Sequence, residues 1–302
     1  MIRVGIMGLS EGNGHPFSFS AIVNGYDRAG FVRADWPVIL AYLDAKPPEA
    51  FGFDGVSVTH AWTQDPALTR KLCDASRIPN AVAEPQHMLG KVDALIVARD
   101  DWQSHAPLAL PFLERGVPVF VDKPLSLDGE ELARLRPYLE QGLLMSTSGM
   151  RYAGECDELR ARLPAIGPVR LVTATVLFGI DRYGIHMLDA IDGLGFAPPV
   201  EILRLPSDME LFALRLADGT AMQLNCLGSV AKTFRLGIYG TGGHAHVDLH
   251  DNFTAFRRTL GHFFKMVETR VPPVDPRRTL ATMRLIVAAR NLAPGRSMEL
   301  LP

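Results

Sequence analysis

The feature that most constrains the fold is a regular alternation of short apolar runs and helical patterns in the first half of the chain. Residues 92–98, VDALIVA, form a continuous apolar run, which is typical of a strand covered on both faces of a sheet. A helical pattern follows over 104–116, where Ser104 is expected to cap the helix and Gly116 to end it. The next strand is predicted at 117–121. Because short links join these elements, the pattern predicts a parallel sheet with helices on both faces.

The same alternation extends on either side of this stretch. Further strands are predicted at 2–8, 56–62 and 143–146, and further helices at 66–77 and 128–141. The connection from residue 25 to residue 55 is long for a link between the first two strands. It is interpreted either as a cover over a ligand site or as a surface insertion.

The pattern changes near Gly149, where longer segments of alternating polarity begin. Strands are predicted at 169–176, 209–216, 222–227, 234–239 and 245–249, and helices at 253–269 and 278–291. Two glycine-containing turns, ADGT and GTGG, join pairs of these strands and indicate hairpins in a mostly antiparallel sheet. We therefore expect a doubly wound, Rossmann-like α/β domain over 1–148, followed by an α+β domain with an open sheet over 149–302.

Composition excludes several classes of protein. The 31 basic and 33 acidic side chains give a formal net charge of −2, which argues against a general nucleic-acid binder. No apolar run reaches the ~18 residues of a membrane span, and the first residues lack the apolar core of a signal peptide. Three scattered cysteines are too few for a disulfide framework or a zinc site. We expect a cytoplasmic protein with neither nucleic acid nor membrane as a partner.

A glycine-rich turn, GLSEGNG, ends the first predicted strand. Such a turn before a helix can cradle a phosphate, because backbone N–H groups and the helix N-terminus point at the anion. The dinucleotide fingerprint G-x-G-x-x-G is altered here: with Gly8 as the first glycine, Ser10 and Asn13 hold the next two positions. Gly12 and Gly14 could take their place with one or two extra residues. These five residues are candidate cofactor ligands, and an ordinary glycine turn is the alternative.

Two further candidates follow later strands. Thr63 occupies the place after the second strand where an acid would bind the adenosine ribose, and Asp65 lies further along. No arginine in that turn is placed to bind a 2′-phosphate, so both NAD and NADP stay open as cofactors. His105 follows the strand at 92–98, on a loop where an open α/β sheet places its ligands. The alternative is a histidine that only begins a helix.

A lysine and a histidine are the candidate catalytic residues. Lys123, in the sequence VDKP, follows a buried strand and would point at the same crevice, unless it is a solvated loop lysine. His186 and Asp189 are three residues apart, so on a helix they share a face, and a nearby carboxylate orients an imidazole. A histidine base with a lysine suits alcohol oxidation, in which a proton leaves as hydride departs and the developing alkoxide needs a cation.

Three histidines near a predicted hairpin raise the question of a metal site. His244 and His246 would lie on one face of a strand, and His250 follows closely. Apart from Asp248 and Asp251, no carboxylate–histidine constellation surrounds them. We therefore expect no metal.

Taken together, these patterns resemble the glucose–fructose oxidoreductase, inositol dehydrogenase and rhizopine-catabolism (Gfo/Idh/MocA) family over nearly the whole chain. Residues 92–124 are similar to the family's strand, loop histidine, helix, strand and Glu-Lys-Pro motif. The sequence GIHMLD at 184–189 is similar to its G-x-H-x-x-D. The remaining similar segments lie at 234–243, 272–275 and 288–290.

The resemblance implies a nicotinamide-dependent oxidoreductase, using NAD or NADP, that acts on a sugar-like or polyol-like hydroxyl or ketone. Lys123 matches the lysine between nicotinamide and substrate, His186 the catalytic histidine, and His105 the loop histidine near the nicotinamide. Family members usually form dimers or tetramers through the open face of the second domain's sheet. A homodimer or homotetramer is therefore expected.

The chain also departs from the family pattern. Asp122 stands where the family has glutamate, and Arg182 stands four residues before His186, where the family often has aspartate. Asp181, by a one-residue slip, or Asp189 could supply that acid. A non-catalytic, dinucleotide-sensing binding protein is the alternative function. A third hypothesis keeps the enzyme but changes its substrate to an imine or a biliverdin-like molecule.

Overall fold

The structure, a computed structural model, describes residues 1–300, which divide into two compact units. The first unit comprises Met1–Ser146 and Phe256–Pro276. The second comprises Thr147–Ala255 and the residues from Arg277 onward. This division differs from the single expected boundary after residue 148, because one later segment joins the first unit. The last two residues of the expected second domain lie outside the described residues.

The sheet of the first unit is parallel throughout and has the strand order β3-β2-β1-β4-β5-β6. Its strands are β1 Ile2–Met7, β2 Val56–Trp62, β3 Asn80–Ala81, β4 Ala94–Val97, β5 Val119–Val121 and β6 Leu144–Met145. Every residue of β4 and β5 is buried, as expected of central strands covered on both faces. The predicted doubly wound sheet is confirmed. Its order reverses between β1 and β4, where folds of this kind bind their ligands.

Six α-helices accompany this sheet: α1 His15–Asn24, α2 Arg28–Ala34, α3 Pro37–Asp44, α4 Pro66–Ala75, α5 His105–Leu113 and α6 Gly129–Glu140. Asp128 caps α6 by accepting a hydrogen bond from Glu131 N at 2.9 Å. The predicted cap of α5 by Ser104 is wrong. Ser104 ends a 3-10 turn with helical backbone angles, so its hydroxyl points backward and donates to the carbonyl of Asp101.

Aromatic packing explains why a late segment belongs to the first unit. Helix α9, Asn252–Thr269, carries Phe256, whose ring centre lies 5.1 Å from that of Phe19. Phe264 of the same helix lies 5.0 Å from Phe53 in an edge-on arrangement. Ring pairs of this kind contribute about 0.5–1.5 kcal/mol beyond their burial. The aromatic face of α9 is therefore part of the core of the first unit.

The second unit contains a seven-stranded sheet in the order β12-β11-β7-β10-β9-β8-β13. Its strands are β7 Val169–Val176, β8 Pro199–Arg204, β9 Glu210–Leu216, β10 Ala221–Cys226, β11 Phe234–Gly240, β12 Gly243–Asp248 and β13 Ser297–Glu299. All pairs are antiparallel except β7 with β10, so the predicted mostly antiparallel sheet is confirmed. The remaining helices are α7 Glu155–Ile166, α8 Ile185–Gly193 and α10 Pro276–Asn291.

Within residues 1–300, no helix combines the length and the apolar character needed to cross a bilayer.

Candidate active site

The glycine turn after β1 lies at the carboxyl edge of the first sheet. Gly8 adopts a left-handed backbone with φ +86°, and a Cβ there would overlap the side chain of Arg99. Gly12 is also left-handed, with φ +73°, but has no atom near the position of its missing Cβ. Gly8 is therefore required by both conformation and space, whereas Gly12 forms an exposed tip that needs glycine for conformation alone.

The side chains that replace the fingerprint glycines turn inward. Ser10 Oγ donates to Asp101 Oδ1, 2.9 Å away, in the loop after β4. Asn13 Nδ2 donates to Asp122 Oδ2 at 3.2 Å, and Asn13 Oδ1 accepts from the N–H of His15 at 2.9 Å. Neither side chain occupies the exposed tip of the turn. In this turn, side-chain hydrogen bonds of Ser10 and Asn13 hold the loop. In the standard fingerprint, glycines hold these two positions.

Asp122 joins three parts of this edge. Its Oδ2 lies 2.5 Å from His15 Nδ1, and its Oδ1 accepts from Lys123 N at 2.8 Å. Burial acts to raise the pKa of Asp122, but the charges of His15 and Lys123 and these hydrogen bonds hold it well below its usual range. An ionised carboxylate therefore links the glycine turn, the start of α1 and the loop after β5.

Lys123 is itself buried, with 3 % of its surface exposed. It follows β5 directly, at the carboxyl edge of the sheet. The alternative of a solvated loop lysine is therefore wrong. Burying a cation is unfavourable without a compensating charge, and the charge of Lys123 interacts with the buried carboxylate of Asp122.

His105 is completely buried at the start of α5. Its Nδ1 lies 3.1 Å from the carbonyl oxygen of Leu125, and its Nε2 lies 2.9 Å from that of Arg99. The ring therefore joins the loops after β4 and β5. Its predicted proximity to the nicotinamide stays a prediction.

The end of β2 is bound to the glycine turn by a residue that the sequence did not point to. Gln64 Nε2 donates to the carbonyl of Leu9 at 2.7 Å, and Gln64 Oε1 accepts from Leu9 N at 3.1 Å. Thr63 is buried beside it, with its hydroxyl donating to the carbonyl of Asp65 and lying 2.8 Å from that of Thr69. The Thr63 hydroxyl therefore makes its hydrogen bonds with residues at the start of α4. Its predicted contact with the ribose stays a prediction.

The long connection between β1 and β2 contacts the start of α1. A Cβ on Gly14 would overlap Trp36 and Ile39, which belong to this connection. The ring of Trp36 also lies 5.8 Å from that of Phe17. The inserted helices therefore pack directly on the segment that follows the glycine turn.

In the second unit, His186 lies buried on α8. Its Nδ1 is 2.6 Å from Ser148 Oγ. Asp189 Oδ2 accepts from Ser148 N at 2.6 Å and from Thr147 Oγ1 at 2.9 Å. Ser148 therefore connects the imidazole with the carboxylate. The sequence missed this serine, although its place just after the last strand of the first sheet is a position where ligand-binding residues occur.

A buried group of charges surrounds Asp189. Burial raises the pKa of Asp189, while Arg151, 3.6 Å away, partly opposes that shift. Arg151 and Arg278 both pair with Asp192. Asp181, the other acid considered beside Arg182, is exposed in the π-helical turn that precedes α8. Asp189 is connected to His186 through Ser148.

The histidines near the hairpin lie on β12 and just after it. The rings of His244 and His246 are 5.5 Å apart, and Tyr239 lies against both. From residue 1 to residue 300, no group of three or more histidine, cysteine or acidic side chains could hold a metal ion.

Comparison with known proteins tests the expected family. Residues 30–144 match the model of the GFO_IDH_MocA oxidoreductase family, which is described by its NAD-binding Rossmann fold. The resemblance to the Gfo/Idh/MocA family is confirmed. The NAD-binding description also confirms the predicted class of cofactor. The exposed backbone at Gly12 and the inward-facing side chains of Ser10 and Asn13 fit a dinucleotide phosphate at the turn.

Similar proteins extend this result. A protein of Amycolatopsis mediterranei assigned as the UDP-kanosamine synthase oxidoreductase subunit is 32 % identical over 116 residues, 38 % of this chain. The match spans about a third, 32 %, of the length of that curated relative. Myo-inositol 2-dehydrogenase from Lactobacillus plantarum is 15 % identical and superimposes with a TM-score of 0.78, with 99 % of each chain covered. Scyllo-inositol dehydrogenase from Lactobacillus casei, with bound NAD(H) and scyllo-inositol, is 14 % identical and superimposes with a TM-score of 0.77, again with 99 % of each chain covered. These two structures share the fold of this chain.

Proposed function

We propose that the chain is an oxidoreductase that uses NAD or NADP to transfer a hydride to or from a sugar-like or polyol-like hydroxyl or ketone. The observation that carries this proposal is the buried Lys123 next to an ionised Asp122 whose carboxylate also holds the glycine turn. A cation fixed beside a phosphate-binding turn is suited to a reacting oxygen near a dinucleotide.

The chain's own residues divide the remaining chemistry between them. A bound nicotinamide supplies or accepts the hydride. The Lys123 ammonium holds the substrate oxygen and stabilises the negative charge that develops on it. His186, whose Nδ1 faces Ser148, exchanges the hydroxyl proton at Nε2, and Asp189 supports this arrangement through Ser148.

The substrate class rests on the same chemistry and on similar folds. Hydroxyl oxidation needs a cation and a proton acceptor, which Lys123 and His186 supply in this proposal. The Lactobacillus casei dehydrogenase of the same fold binds scyllo-inositol, a polyol. We propose a polyol or sugar derivative as the substrate, in preference to an imine or a biliverdin-like molecule.

We propose that the protein acts in the cytoplasm as a homodimer or homotetramer. The free cysteines at 73, 156 and 226 are in keeping with a reducing compartment. On one face of the second unit's sheet, half-buried Thr173, Ala213 and Gln223 lie in one row across three strands. A half-exposed, partly apolar sheet face is suited to self-association.

The test begins with binding of NAD(H) and NADP(H) to the purified protein by calorimetry. Change in nicotinamide absorbance is then followed with inositols, sugars and nucleotide sugars. Once a substrate is found, Lys123→Met should lower kcat by ~10²-fold or more, because the charge stabilisation at the reacting oxygen is lost. The matched control is Lys91→Met, at an exposed lysine before β4, which should keep the wild-type rate.

Two results would overturn the proposal. One is a Lys123→Met variant that turns over its substrate at the wild-type rate. The other is tight dinucleotide binding without turnover of any compound, which would favour the non-catalytic, dinucleotide-sensing alternative.

A further inference from the structure

Ser148 has three hydrogen-bonding contacts that together constrain its hydroxyl proton. It is 1 % exposed and lies just before a 3-10 turn over Gly149–Tyr152. Its backbone N–H donates to Asp189. Its Oγ accepts from the N–H of Met150 at 3.1 Å and lies 2.6 Å from Nδ1 of His186.

The hydroxyl has one proton and two lone pairs to satisfy. Because the N–H of Met150 takes one lone pair, the short contact with His186 has two possible polarities. In one, Ser148 Oγ–H donates to an unprotonated Nδ1. In the other, Nδ1–H donates to the second lone pair, and the hydroxyl proton of Ser148 must find a different acceptor.

The surroundings decide between these polarities. Within residues 1–300, Ser148 Oγ has no hydrogen-bonding partner besides Met150 N and His186 Nδ1. The second polarity would therefore leave a buried hydroxyl proton unpaired, which is unfavourable. The first polarity satisfies every atom of the contact.

We propose that Ser148 is a positioning residue that donates to Nδ1 and so holds the neutral ring of His186 with its proton on Nε2. In this resting state, Nε2 presents a hydrogen-bond donor to a substrate oxygen. For Nε2 to accept a proton instead, Nδ1 must carry the ring proton and the Ser148 hydroxyl must reverse its direction. The orientation of one hydroxyl thus sets whether His186 donates or accepts at Nε2. The relevance to catalysis rests on the proposed function, whereas the position of the ring proton does not.

Asp189 has a defined part in this arrangement. Its carboxylate holds Ser148 through the backbone N–H and holds Thr147 through the hydroxyl. It therefore fixes the backbone from which the Ser148 hydroxyl extends. These hydrogen bonds explain why an acid stands at residue 189. No charge needs to pass from Asp189 to the imidazole of His186.

The test is long-range ¹H–¹⁵N correlation of the histidine rings in the ligand-free protein. The nine histidines are resolved by comparison with His186→Gln. At a pH where the ring is neutral, wild-type His186 should show an unprotonated Nδ1 and a protonated Nε2. Ser148→Ala should produce a mixture of both tautomers, and Ser148→Thr, which keeps the hydroxyl, should restore the wild-type pattern.

The wild-type spectrum alone can overturn the inference, so no variant needs to fold for the test to decide. A neutral His186 with its proton on Nδ1 would contradict it, as would an unchanged spectrum in Ser148→Ala. With a substrate in hand, Ser148→Ala should lower kcat about tenfold with little change in KM, since positioning is lost while binding stays. If the spectra are as expected but the protein oxidises and reduces no compound, the proposed function is overturned. The inference about the ring proton of His186 is then still supported.

Discussion

Asp122 and Asp189 are both nearly inaccessible aspartates, yet their pKa values shift in opposite directions. Asp122 is 2 % exposed and Asp189 is 5 % exposed, so burial penalises ionisation at both sites. At Asp122, the neighbouring His15 and Lys123 outweigh burial and lower the pKa. At Asp189, burial prevails over Arg151, and the nearby Asp192 adds repulsion, so the pKa is raised.

The difference shows that burial does not define the role of a carboxylate; its neighbours do. Asp122 is a fixed negative charge that holds the glycine turn and the lysine loop in place. Asp189 accepts hydrogen bonds from Thr147 and Ser148 and shares Arg151 with a second acid, Asp192. A single change of each carboxylate to an amide separates these two roles.

The largest difference should appear in the stability of the two amide variants at neutral pH. Asp122→Asn removes a buried charge from its partners and should lower the free energy of unfolding by about 3 kcal/mol. Asp189→Asn should lower it by about 1 kcal/mol or less, because Arg151 keeps Asp192 as its partner and an unfavourable ionisation is removed. Urea unfolding at pH 7 measures both. Equal losses of unfolding free energy in the two variants would contradict the different roles of the two carboxylates.

The same pair should differ in the pH dependence of stability. A lowered folded-state pKa makes the contribution of Asp122 fully present above the unfolded value of about 3.9 and lost as pH falls below it. A raised pKa gives Asp189 the reverse sign, because its contribution is present below about 3.9 and is lost as pH rises through its folded value. The urea midpoint of Asp122→Asn should therefore change less between pH 3 and pH 7 than that of wild type. In Asp189→Asn, the midpoint relative to wild type should rise with pH. If the urea midpoints of both variants and of wild type change with pH in parallel, the opposite pH dependences of Asp122 and Asp189 are contradicted.

These contrasts mark the limit of what the sequence could predict. The apolar runs predicted the central strands and placed Lys123 and the glycine turn at one sheet edge, because local pattern determines strands and their ends. The contact of His15 with Asp122 spans 107 residues, and that of Ser148 with His186 spans 38. Such pairings depend on tertiary packing, which no periodicity encodes. The return of α9 to the first unit was missed for the same reason.

Removing one neutral donor from the first region should have a smaller effect than removing its charge. Asn13→Ala deletes the Nδ2 contact with Asp122 and the acceptor for the N–H of His15. We expect a loss of about 1.5 kcal/mol in the free energy of unfolding, since a hydrogen bond to a charged group is lost. Dinucleotide affinity, measured by calorimetry, should also fall because the turn loses its support. Asn291→Ala, at the exposed last residue of α10, is the control. A wild-type stability in Asn13→Ala would show that the turn holds its shape without Asp122.

The smallest expected effect lies in the second region. Thr147 Oγ1 donates to Asp189 and accepts from Arg151 Nε at 3.1 Å, so Thr147→Val removes both contacts at nearly constant volume. Because the loss of a donor disfavours the ionised carboxylate, the pKa of Asp189 should rise further. The free energy of unfolding should fall by about 1 kcal/mol at pH 7 and by less at pH 4, where the protonated carboxyl depends less on this donor. Thr147→Ser, which keeps the hydroxyl, should stay closer to wild type at both pH values. A greater loss at pH 4 than at pH 7 would mean that Thr147 stabilises the protonated form, and the contrast between the two aspartates would then need a different cause.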